Sequence, residues 1–141
     1  MQVANEVYPA AEKAIAFFSA ADQGPMVMIN LLKFKDQADY PADSGFGPCS
    51  GAEAYARYGA GVVACLQAVG GRPVYAGAVT GIILGEVEEL WDMVALAEYP
   101  SPAAMMQMVQ LPEYKAIEIH RTAGLAGQLN IRTRQSESKY E

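Results

Sequence analysis

MVMINLLKF, residues Met26 to Phe34, is a continuous apolar run interrupted only at Asn30 and Lys33. It is short enough to be a strand, and a strand that lacks strict alternation is one buried on both sides. Met28, Asn30, Leu32 and Phe34 share one side, and the opposite side is largely apolar too. Whatever sheet forms around this strand needs cover on both faces.

Before the strand, Ala14, Ile15, Phe17, Phe18 and Ala21 recur at three- and four-residue spacing from Pro9 onward, and Gly24-Pro25 supplies a stop, which predicts an additional N-terminal helix over residues 9–22. After the strand, Asp36 to Ser50 reads DQADYPADSGFGPCS, the composition of a loop, and long for a connection inside a compact domain. Such loops serve as lids, with Phe46 as the anchor. Gly51 to Val69 then puts Tyr55, Gly59, Val62, Leu66 and Val69 on one helical stripe, closed by Gly70-Gly71. Pro73 to Leu84 and Glu89 to Tyr99 form a hairpin turning at Gly85 and Glu86, with Trp91, Met93 and Tyr99 on one side. Ser101-Pro102 is an N-cap followed by Pro at the first helical position, opening a helix that is interrupted at Pro112 and resumes to about Thr122, with Gly124 to cap it. Leu125 to Thr133 closes as a last strand, and residues 134–141 form a polar tail.

The order is helix, then β-α-β-β-α-β. That is an α+β, ferredoxin-like arrangement: an antiparallel four-stranded sheet with both main helices on one face. The other face stays open, so the expected cover is a second copy of the chain laying its sheet against the first, a homodimer. The competing cover is the N-terminal helix folded over the open face.

Composition agrees with a globular chain and excludes several classes of partner. At 141 residues the expectation is a single domain, residues 1–141, and 52% apolar against 18% charged residues suits a buried core. Sixteen acidic and ten basic residues leave a net charge of −6, with no basic stripe to neutralise phosphates, so nucleic acid is not expected as a partner. No run reaches the roughly 20 apolar residues of a membrane span and no basic n-region opens the chain, which reads as cytoplasmic with no membrane partner. Cys49 and Cys65 are too few for a disulfide framework and lie in no C-x-x-C pair; Cys65 falls on an apolar helical stripe as a small hydrophobe, whereas Cys49 lies in the loop.

The segments MINLLKFK (Met28 to Lys35), AYARYG (Ala54 to Gly59), GGRPVYAG (Gly70 to Gly77), WDMVALAEYPS (Trp91 to Ser101) and PEYKAIEIHRTAGL (Pro112 to Leu125) together resemble an uncharacterised, DUF1330-like bacterial family of unknown function. That family looks like a member of the dimeric α+β barrel superfamily, in which two ferredoxin-like subunits join their sheets into a barrel. The resemblance implies the fold and the dimer. It implies no single activity, since the superfamily mixes cofactor-free oxygenases, isomerases, haem-handling enzymes and proteins without known chemistry.

Three polar residues are candidates for catalysis. Asn30 interrupts an apolar strand and must be hydrogen-bonded, either to protein or to a ligand whose carbonyl or oxyanion it orients. Asp92, beside Trp91, either pairs with a cation, for which Arg57, Arg72 and Arg121 are available, or transfers a proton. His120 is the only imidazole and either favours the C-terminal dipole of the last helix along with Arg121 or acts as a general base. Trp91, Tyr75, Tyr99, Arg121 and Phe46 are the candidates for binding a flat apolar substrate, the aromatics serving equally as interface core.

No Walker loop, dinucleotide fingerprint, nucleophile elbow or H-E-x-x-H appears, and a single His gives no metal site, so no cofactor and no metal are expected. The reading is a small-molecule-binding dimeric barrel, a cofactor-free oxygenase or isomerase working by proton transfer on a small apolar or aromatic substrate. The alternatives are a non-catalytic binding or structural dimer, and a haem-binding protein using His120.

Overall fold

The computed structural model describes residues 3–136. Its elements in chain order are α1 (Ala11–Phe18), β1 (Met26–Phe34), α2 (Gly51–Ala68), β2 (Arg72–Ala78), β3 (Met93–Tyr99), α3 (Pro102–Gln110), α4 (Pro112–Gly124) and β4 (Leu125–Thr133). The strands form one antiparallel sheet in the order β2-β3-β1-β4. Two split β-α-β crossovers with β1 and β3 at the centre are the ferredoxin-like topology. Of the polar tail expected at 134–141, residues 137–141 lie outside the described residues; Arg134 forms an ion pair with Asp22 at 3.3 Å.

β1 sets the two faces. Its register places Met26, Met28, Asn30 and Leu32 opposite Tyr99, Ala97, Ala95 and Met93 of β3. On this face Met26, Met28 and Tyr99 pack against Tyr58, Cys65 and Leu66 of α2, Met108 of α3 and Tyr114 of α4. The buried hydroxyls are partnered, Tyr58 donating to Tyr114 Oη at 3.1 Å and Tyr99 pointing at Met108 Sδ. Local chemistry starts the helices: Ser50 Oγ accepts from the Glu53 N–H at the start of α2, and Ser101 Oγ from the Ala104 N–H at the start of α3, with Pro102 just inside. Pro112 separates α3 from α4.

The opposite face carries Val27, Ile29 and Leu31 of β1, Val94 and Leu96 of β3, Leu129 and Ile131 of β4 and Tyr75 of β2, a continuous apolar surface by register. None of these belongs to the buried cluster, and Tyr75 is 60% exposed. The N-terminal helix does not cover it. α1 is shorter than the 9–22 expected and lies on the helical side, where Phe17 joins the core and Arg132 stacks on the Phe17 ring at 4.5 Å. The residues ahead of α1 cover the β4 edge, Glu6 pairing with Gln128 and Tyr8 bonding Thr122.

The hairpin departs from its sequence pattern. β2 ends at Ala78 and β3 starts at Met93, so residues 79–92 form an arm rather than a tight turn, and Trp91 lies outside the strand. β1 pairs with β3 only from Leu32 toward Met26, so residues before Met93 have no ladder to join despite their β-branched composition.

Candidate functional site

Asp92 closes the arm rather than sitting inside a strand. Its Oδ2 accepts the Phe34 N–H at 2.8 Å and its Oδ1 lies 3.6 Å from Lys33 Nζ, so its cation is Lys33 and none of Arg57, Arg72 or Arg121. The backbone of Asp92 bonds Leu32 O and Val79 N. These partners account for Asp92 as a structural clamp.

Asn30 is equally occupied. Its Nδ2 donates to Ala95 O at 3.1 Å, and its Oδ1 accepts from Gln128 Nε2 at 2.6 Å. Gln128 Oε1 in turn accepts from Arg121 Nη2, which also donates to Val7 O, both at 2.7 Å. This line of bonds crosses β3, β1 and β4 and fastens the N-terminal segment to the sheet. Arg121 stands in the last turn of α4, as the dipole reading expects, and gives these hydrogen bonds to Gln128 and Val7.

The remaining aromatic candidates separate. Tyr99 is in the core, where burial pushes its phenol well above the usual tyrosine range; Tyr75 is on the open sheet face; Trp91 is in the arm with its indole N–H buried and without a protein partner. Trp91, Tyr75 and Tyr99 thus do not line one cavity.

His120 and Phe46, by contrast, meet. The loop 36–50 folds back onto α2 and α4: Phe46 stacks on Tyr40 with centroids 4.9 Å apart, and the His120 ring stands edge-on to both. Tyr40 Oη accepts from Arg57 Nη1 at 3.1 Å and lies 2.6 Å from His120 Nδ1. A phenol already accepting from a guanidinium gives its own proton to the imidazole, which we assign as neutral with its hydrogen on Nε2. Desolvation, then the charge of Arg57, pushes the His120 pKa below the ordinary 6.5, in accord with that assignment. The Arg57 guanidinium sits 5.8 Å from the Tyr40 ring centre and 5.5 Å from that of Phe46, within cation–π range of both.

Two clefts flank this cluster. One of about 360 Å³ runs between the loop and α4, lined by Asp39, Pro41, Lys115, Glu118, Ile119 and Thr122. The other, of about 220 Å³, is lined by Gln37, Ala38, Tyr40, Phe46, Gly47 and Pro48. Tyr40 and Arg57 escaped the sequence reading as site residues because each lies in a different element from His120, Tyr40 being 80 residues away. The one available signal was a second aromatic beside Phe46 in an otherwise polar loop. Among the described residues no three His, Cys, Asp or Glu side chains converge as a metal site, and no helix is long and apolar enough to cross a membrane. Cys65 is buried and Cys49 partly so, both as free thiols.

No family model matches the chain, and no curated protein matches it. Solved structures do. The crystal structure of RPA0582, a protein of unknown function from Rhodopseudomonas palustris, aligns at a TM-score of 0.84 and 32% identity over 96% of this chain and 100% of its own. Methylated RPA0582 aligns at 0.85 and 32% identity, over 96% and 98%. A dimeric protein of unknown function and ferredoxin-like fold from Bacteroides fragilis NCTC 9343 is 15% identical over 80% of this chain and 98% of its own at a TM-score of 0.46, too loose a likeness to bear on assembly. With that identity to RPA0582 sustained over nearly the full length of both chains, this protein belongs to the RPA0582 family.

Proposed function

We propose that this protein is a homodimer of the dimeric α+β barrel kind, DUF1330-like, which binds a small apolar or aromatic molecule beside His120 and exchanges a proton with it. The observation that carries the reading is the 2.6 Å approach of Tyr40 Oη to His120 Nδ1, with Arg57 on the same oxygen. A neutral imidazole held through Nδ1 offers Nε2 to a ligand, and a phenol polarised by a guanidinium can pass a proton onward. Tyr40 and Phe46 supply flat apolar surface next to it and line the cleft of about 220 Å³, which supplies space. Of the two reaction classes expected, isomerisation fits better, because it needs only a positioned acid and base. The open apolar sheet face supports the dimer.

The second reading, a non-catalytic dimer whose His120 only fastens the loop, is favoured by the mutual satisfaction of Tyr40, His120 and Arg57. A thermal-shift screen of small aromatic acids and ketones against wild type and His120→Gln separates the two. Compounds that stabilise the wild type and fail to stabilise His120→Gln support a ligand site. A lower Tm in the variant with unchanged ligand responses leaves the loop-fastening role.

A further inference from the structure

The two edges of the sheet are treated differently. The β4 edge is covered by the N-terminal segment through Glu6 and Gln128, while β2 at the other edge is exposed at every residue except Gly77. Bare edge strands recruit other strands unless something blunts them. Here Pro73 removes a backbone donor and the register shifts between Pro73 and Tyr75, so β2 is a poor template for strand addition. What β2 leaves uncovered is apolar side-chain surface: Val74 is 42% exposed and Tyr75 60%.

The arm, residues 79–92, leaves this edge at its end. Its stem is fixed: Val79 N–H donates to Asp92 O at 2.9 Å, Asp92 N–H to Leu32 O at 2.8 Å, and Lys33 Nζ to Leu90 O at 2.9 Å. Its tip is not. Ile83 and Leu84 are 102% and 88% exposed, beside a half-exposed Ile82, three consecutive large aliphatic residues offered to water. Removing such side chains from water favours association, and a stem already held by these hydrogen bonds lowers the ordering cost of presenting them.

We propose that the Ile82–Leu84 tip is a clasp whose occupant is a second copy of this chain, each arm reaching onto its partner so that the pair of tips completes the sheet-to-sheet dimer. The inference rests on the dimer reading above and adds the element that holds it. Two observations select an identical copy. The charged residues bordering the open face are two cations and three anions, Lys33 with Asp92 and Glu89 and Arg72 with Glu98, all paired within the subunit, so copies of a chain with net charge −6 meet there with most of the border charge already neutralised. The open face, β2 and the arm together also supply on the order of the 20–30 residues a side of a standard interface, in the self-complementary form a two-fold dimer needs.

Sedimentation velocity across a dilution series of wild type and of the double variant Ile83→Asp/Leu84→Asp tests this. Both positions are almost wholly exposed, so far-ultraviolet circular dichroism of the variant should match wild type. The expected result is a dimeric wild type and a variant whose dimer dissociates at a concentration at least tenfold higher. A dimeric wild type with an unshifted variant overturns the clasp and leaves the dimer standing. A monomeric wild type overturns the dimer reading itself.

Discussion

Asp92 shows how one side chain can look like a buried acid in sequence and stand at a strand end with its own partners in space. A carboxylate flanked by Trp91 and Met93 suggests a buried acid, yet it sits one residue before β3 and is 39% exposed, where it receives the Phe34 N–H and Lys33. Replacing it with Ala should destabilise the fold by about 1–2 kcal/mol, because a partly buried backbone donor loses a charged acceptor, while Asn keeps the acceptor and should cost less. Urea denaturation of the two variants measures the difference; equal, near-zero effects would remove the clamp. Gly124 is the complementary case. It reads as a helix cap, but its φ is not positive, and its real constraint is the crossing of α2 and α4, where a Cβ would stand 2.5 Å from Gly51 O and 3.0 Å from Tyr55 N. Gly124→Ala should therefore cost about 1–3 kcal/mol by overpacking, and a midpoint equal to wild type would show that the helices part easily. No sequence pattern announces such a contact, since it joins positions far apart in the chain.

At the scale of elements, periodicity was enough wherever packing is local or one-sided. β1, β4 and the stripe of α2 stand where the spacing of apolar residues puts them, and Pro112 divides the last helical stretch as its missing donor requires. The arm failed that reading for a physical reason: Ile82, Ile83 and Leu84 have strand composition but no strand to pair with, because β1 ends its ladder at Met93. The loop 36–50 was legible as a loop and Phe46 as its anchor, while the groups it meets on α2 and α4 were not. That anchorage makes the loop sensitive to pH. His120 is the sole imidazole, faced by Arg57 from α2 and Tyr40 from the loop, and its pKa in the folded state lies below the 6.5 it has when unfolded. Between those two values the unfolded chain binds more protons, so the stabilisation is complete above about pH 6.5 and is withdrawn as pH falls through the lowered folded value. Protonation also puts a hydrogen on Nδ1, where Tyr40 donates, and sets a second cation near Arg57. We expect amide exchange in residues 36–50 to quicken relative to the core as pH is lowered from 7.5 to 5.5, and His120→Gln to remove that differential. A loop whose relative protection ignores pH would contradict the assignment of Nδ1 as acceptor.

For the whole molecule, the strongest inference from sequence was the need for cover on both faces of β1, and the structure sharpens it. One face has α2, α3 and α4; the other has Val27, Ile29, Leu31, Val94, Leu96, Leu129, Ile131 and Tyr75 with no element of the described residues over them. A charge placed at the middle of that face should break an interface while leaving the helical core intact. Leu96→Asp is expected to be monomeric at concentrations where wild type is paired, by light scattering after gel filtration, and a dimeric Leu96→Asp would move the interface elsewhere. The candidate site at Tyr40, Arg57 and His120 lies on the helical side, outside this face, so the proposed pairing and the proposed ligand binding can be tested in separate mutants. Native mass spectrometry of the purified protein puts both to the test at once. The account predicts twice the chain mass with an additional small-molecule component that His120→Gln fails to retain; a bare species of single chain mass would contradict it.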